Sequence, residues 1–178
     1  MSWENADRSL AASLIFEHGA EDHRPFSLMA GVAASRAVEG TRLKWPNDVL
    51  TGDGLKTGGI LVERDEAKTV VGLGLNLWWP DPPGGAGALY EKDPGPDRHV
   101  EIGALWGAEL MDLLASEVWP IDEYRASCDT LGRQIEWEPD GRGRVVAVAE
   151  DGALVVDVDG VEERLVSGAV RHVRTIER

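Results

Sequence analysis

The 178-residue chain holds four lysines against fourteen arginines, and two of the four, Lys44 and Lys56, stand close together. Lys44 opens the run Lys44-Trp45-Pro46-Asn47-Asp48, a cation, an amide and a carboxylate around a proline. Polar groups at a strand end suit a site, because the strand aims the side chains while the turn exposes them. Lys56 opens a second run, Lys56-Thr57-Gly58-Gly59-Ile60-Leu61-Val62-Glu63. Glycines there let a ligand reach backbone N–H groups, and the lysine supplies a point charge for a phosphate or a developing oxyanion. A third run, Val71-Gly72-Leu73-Gly74-Leu75-Asn76, adds two glycines and an amide. Generic phosphate motifs fit poorly. Leu55 occupies the place where a P-loop needs glycine, and no helical pattern follows Thr57. Gly72-Leu73-Gly74 lacks the third glycine and the helix of a dinucleotide fingerprint.

The elements that must carry these runs follow from periodicity. Residues 9–17 read as a strand, and Ser27 as the N-cap of a helix that Gly40 ends. Residues 42–45 alternate as a short strand stopped by Pro46, and 51–59 read as a glycine-rich turn. Ile60–Glu63 and Thr69–Leu77 read as a hairpin, residues 80–87 as a mobile surface loop, and Val100–Val118 as a helix closed by Trp119-Pro120. Beyond Asp122 the texture changes to short alternating runs divided by Asp-Gly and Gly turns, the pattern of a small antiparallel barrel. A domain boundary is therefore expected near residues 120–124.

Composition narrows the function. The formal charge is −14, and acids outnumber bases in both halves, so no basic lobe exists to displace counterions from nucleic acid. No apolar run approaches the roughly 18 residues of a membrane span, and Met1-Ser2-Trp3-Glu4-Asn5 has no signal-peptide pattern, so a cytoplasmic protein is expected. Cys128 stands alone, which excludes a disulfide framework and reads as a buried structural thiol. The histidines at 18, 23, 99 and 172 show no ligand spacing, so no protein-held metal is expected.

In their order and spacing these runs resemble the biotin protein ligase family, the biotin–[acetyl-CoA-carboxylase] ligases. The pairing of Lys44-Trp-Pro-Asn-Asp48 with Lys56-x-Gly-Gly-Ile-Leu-Val-Glu63 carries the resemblance, and Gly72-x-Gly-x-Asn76, Cys128-Asp-Thr-Leu-Gly-Arg133 and Ser167-Gly-Ala-Val-Arg171 agree with it. The resemblance implies an α/β (α+β) fold: a mixed-sheet, class II synthetase-like catalytic domain over residues 1–120, then an SH3-like barrel over 124–178. It implies ATP with Mg²⁺, biotin as substrate, biotinyl-5′-AMP as intermediate, and transfer to a lysine of a biotin carboxyl carrier domain. Lys56 and Asp48 match the catalytic positions. Lys56, Gly59, Gly72 and Trp3 match biotin-binding positions, and Asn47, Asn76 and Lys44 match the adenylate side. Relatives carry a Gly-Arg-Gly-Arg-x-x-Arg loop before the tryptophan matched by Trp3, with a strand and helix further upstream. The domain is accordingly expected to be N-terminally truncated, with a bare sheet edge or apolar patch. Two functions stay open on these residues: a ligase, or a non-catalytic relative that only binds adenylate or the carrier. A homodimer stays open as well, whereas a membrane or nucleic-acid partner is not expected.

Overall fold

The computed structural model describes residues 6–17, 19, 22–65, 67–116, 118–166 and 170–172. In chain order the elements are β1 (Arg8–Glu17), α1 (Phe26–Ala37), β2 (Arg42–Lys44), β3 (Asp48–Leu50), β4 (Lys56–Arg64), β5 (Lys68–Trp78) and α2 (Arg98–Ala115), followed by α3 (Ile121–Ser127), β6 (Gln134–Trp137), β7 (Gly141–Val148), β8 (Leu154–Val158), β9 (Val161–Leu165) and β10 (Val170–His172).

The first sheet has the order β1-β5-β4-β3-β2. A mixed sheet is expected from the resemblance. Among the described residues every ladder of this sheet is antiparallel, and parallel pairing is confined to the isolated bridges Leu43–Cys128, Lys56–Ala86 and Trp78–Tyr90. β5 shows why the sheet is two-sided: Thr69, Val71, Leu73, Leu75 and Leu77 are buried, while the residues between them point the other way. Helices α1 and α2 cover the buried side. Small residues let α1 approach closely, with Ala30, Ala33 and Ala34 buried and Gly31 against Leu43 and Ile60. α2 sends Trp106 into the core, where its indole donates to Ala30 O at 3.2 Å, and lays Gly103 over Leu10 of β1. Each fully buried aliphatic side chain contributes about 1.5–3 kcal/mol.

Boundaries differ from the sequence expectation for local reasons. Pro25, not Ser27, is the N-cap of α1, since proline needs no N–H partner there; the Ser27 hydroxyl donates instead to Pro46 O at 2.9 Å. The turn expected over 51–59 is shorter, and Lys56–Gly59 already belong to β4, which pairs with the unexpected strand β3. α3 and β6 are also additions.

The second sheet has the order β10-β6-β7-β8-β9, again antiparallel. Among the described residues no ladder joins β9 to β10, so the sheet does not close. Its apolar side (Ile135, Val145, Val148, Leu154, Val156) merges with the core of the first sheet. Asp129 helps lock the crossing, with ion pairs to Arg42 and Arg133 at 3.0 Å each and its N–H on Leu43 O at 2.7 Å. Cys128 and Tyr124 are buried here, and burial pushes the pKa of both the thiol and the phenol up.

Candidate active site

Cross-strand register arranges the uncovered face of the first sheet into rows. One row runs Asp48–Gly59–Gly74–Ala11, the next Leu61–Gly72–Ser13, and a third Glu63–Val70–Ile15. The first two rows make a floor almost free of side chains. A Cβ on Gly59 would meet only Asn47 O at 3.6 Å, one on Gly74 only Gly59 O at 4.0 Å, and one on Gly72 nothing nearer than Ser13 Oγ at 3.7 Å. Gly58, by contrast, serves the sheet: its Cβ would lie 2.1 Å from Gly74 O. Leu61 and Ile15, 63% and 67% exposed, mark the apolar end of this face. β1 is an edge strand among the described residues, pairing only with β5.

At the other end the charges gather. Asp48 lies between two ammonium groups, with Lys56 Nζ 2.5 Å from Oδ1 and Lys44 Nζ 3.2 Å from Oδ2. The carboxylate is 15% exposed and Lys56 is 56% exposed, so the pair presents a cation to solvent from an anchored anion. Lys44, Asp48 and Lys56 are thus brought together. Asn47 is exposed in the turn, but its Nδ2 donates to Ile60 O at 3.1 Å while its own carbonyl accepts from Ile60 N at 2.8 Å. One amide N–H and the Oδ1 remain for a ligand.

Asn76 follows Gly74 on the same face of β5, paired with Ser9. Its Nδ2 donates to Gly87 O at 3.2 Å, tying the proline-rich loop to the sheet. That loop is stitched down further: Lys56 N donates to Gly85 O at 3.1 Å, Gly87 N to Lys56 O at 2.8 Å, and Leu89 N to Asn76 O at 3.0 Å. The segment expected as a loose surface loop therefore forms one wall beside Lys56 and Asn76.

Trp3 and Ser167–Ala169 lie outside the described residues. Arg171 pairs with Glu136 in the second sheet and not with the site. Sequence reasoning missed Gly74, Ala11 and Ser13 as floor residues. The small residues at alternate positions of β1 were the available signal, but their place opposite Gly72 and Gly74 needs the register.

A groove of about 880 Å³ opens between the end of α1, the 51–55 turn and the 79–91 loop. Its two cations are engaged: Arg36 pairs with Glu123 and Glu109, and Arg98 with Glu101 and the Tyr90 hydroxyl. The Glu123 hydrogen bond foremost holds the Arg36 pKa above its ordinary value. Among the described residues no group of three or more His, Cys, Asp or Glu side chains is placed to hold a metal, and no helix is long and apolar enough to cross a membrane.

No protein-family model matches the chain. It is 32% identical over 174 residues to the biotin–[acetyl-CoA-carboxylase] ligase of Mycobacterium tuberculosis, which covers 83% of this chain. The chain spans 62% of the length of that relative. Its fold is similar to the apo structure of the biotin protein ligase from Aquifex aeolicus, with a TM-score of 0.75 at 21% identity, covering 90% of this chain and 82% of that one. The structure of the same ligase in complex with biotin and ATP gives a TM-score of 0.73 at 23% identity, with 93% and 79% covered. The curated relative and these structural neighbours agree with the lysine-bearing runs, and the chain belongs to the biotin protein ligase family.

Proposed function

We propose that the chain is an ATP-dependent biotin–[biotin carboxyl-carrier protein] ligase. The supporting observation is the glycine floor of Gly59, Gly72 and Gly74 that ends at the Lys56–Asp48 pair. An apolar ring system lies flat over Gly59 and Gly72, and its carboxylate tail reaches Lys56. In the first step a biotin carboxylate oxygen attacks the α-phosphorus of ATP, forming the P–O bond of biotinyl-5′-AMP and releasing pyrophosphate. Both reactants are anionic, and the Lys56 ammonium offsets their repulsion. In the second step a carrier lysine attacks the acyl carbon, AMP leaves, and Asp48 accepts the amine proton. Lys44 holds Asp48 from its other side. Asn47 offers its free amide groups to the phosphates, and Asn76 presents Oδ1 and its remaining N–H to adenine. Mg²⁺ is bound as the ATP complex. Trp3 is assigned to biotin by the resemblance of the sequence.

On this reading residues 1–120 form the catalytic domain and 124–178 the SH3-like domain of a cytoplasmic protein. The test mixes the chain with biotin, ATP, Mg²⁺ and an apo carrier domain, with the full-length Mycobacterium ligase as positive control. A streptavidin-reactive carrier is expected. An unlabelled carrier beside a labelled control overturns catalysis by this chain and leaves a binding protein, which titration with biotinyl-5′-AMP then identifies.

A further inference from the structure

The turn carrying Asn47 and Asp48 is held from two directions, and one of them is the second sheet. Within the first half, Ser27 Oγ donates to Pro46 O and Asn47 exchanges two hydrogen bonds with Ile60. From the second half, Thr130 Oγ1 accepts the Trp45 N–H at 3.0 Å, and Gly152 O accepts the Trp45 indole N–H at 2.9 Å. Trp45 is 2% exposed and Thr130 is wholly buried, so neither touches a ligand on the open face.

The Gly152 carbonyl is itself immobilised. Residue 152 has φ +85°, and a Cβ there would lie 2.7 Å from Pro25 Cβ and 2.9 Å from Leu28 Cδ1. The 149–153 turn is therefore pressed on the N-terminus of α1 at a position only glycine fits. It is closed by Ala149 N on Ala153 O and Gly152 N on Ala149 O, each 2.8 Å, and by Ala153 N on Asp151 Oδ1 at 3.1 Å. Trp119 adds a second indole bond, to Glu150 O at 2.6 Å.

We propose that Thr130 and the β7–β8 turn at Gly152 are positioning elements of the active site, acting through Trp45 to fix the Asn47–Asp48 turn over the floor. The second half of the chain then acts on the rate through groups that are buried away from the open face. Misplacement of a reacting group by about 1 Å costs on the order of 10²-fold in rate, so a partial release should cost about tenfold. The assignment of a rate effect rests on the ligase reading, whereas the clamp itself does not.

Two variants test the two bonds: Thr130→Val, at nearly constant volume, takes the acceptor from the Trp45 N–H, and Trp45→Phe takes the indole donor together with part of the buried ring. Pyrophosphate release with biotin and ATP is expected to show kcat lowered about tenfold in each, KM for both substrates within about twofold, and recovery in Thr130→Ser. Hydrogen exchange of the unliganded proteins is expected to speed up at residues 45–48 while residues 71–75 keep their protection. Unchanged kcat in Thr130→Val beside an active wild type overturns the proposal, as does acceleration of exchange that is uniform along the chain. A wild-type chain that releases no pyrophosphate refutes the ligase reading, and exchange at 45–48 then decides the clamp alone.

Discussion

β4 and β5 present two surfaces made from the same residues in alternation. Under α1 and α2 stand Ile60, Val71, Leu73, Leu75 and Leu77, all buried. On the open side stand Lys56, Gly59, Leu61, Gly72, Gly74 and Asn76, of which only Leu61 is a large apolar group. The covered side supplies the burial that folds the sheet. The open side gives up such burial and keeps space, main-chain groups and one exposed cation. Strand alternation thus lets a single hairpin bury one face and keep the other open, and the proposed binding would draw on the open face alone.

That separation can be attacked from either side. The largest effect is expected from Leu73→Ala, which empties a 2% exposed position and should cost about 2–5 kcal/mol. Urea unfolding should show a lower midpoint at an unchanged slope, with ligand affinity of the folded fraction retained. Lys56→Ala should do the reverse, lowering adenylation by on the order of 10², equivalent to about 2.7 kcal/mol, while stability moves by less than about 0.5 kcal/mol. A rate within a few-fold of wild type would return Lys56 to a structural role. Gly74→Leu is the smallest of the three. The new side chain has room above the sheet, so stability should hold, and calorimetric biotin affinity should fall about tenfold, or about 1.4 kcal/mol. Unaltered affinity would mean that the ligand does not lie on this floor.

Much of this arrangement was legible from local pattern. The β4–β5 hairpin followed from two β-rich runs joined by the polar stretch 64–68, and α2 from the 3–4 spacing that buries Ile102, Trp106 and Leu110. The two lysine-bearing runs singled out Lys44, Asp48 and Lys56, which the fold gathers at one end of the open face. Short and long-range features escaped. β3 is three residues long, too short to show a period. α3 had a start signal, Pro120 followed by Asp122 and Glu123 in its first turn, but only seven residues behind it. Ala11 and Ser13 became floor residues only through their partners 59 or more positions away in sequence. The Thr130–Trp45 contact spans 85 residues and leaves no local trace.

The stitching of the proline-rich loop bears on how substrates enter. Gly85 and Gly87 bond the main chain of Lys56 on both sides of Ala86, so this part of the loop moves only with the lysine. The turn before it is closed as well, Ala86 N donating to Pro83 O at 3.0 Å around Gly84-Gly85, with Gly85 at φ +86°. Wall and charge are then one mechanical piece: a substrate that shifts this part of the loop on entry shifts the lysine with it.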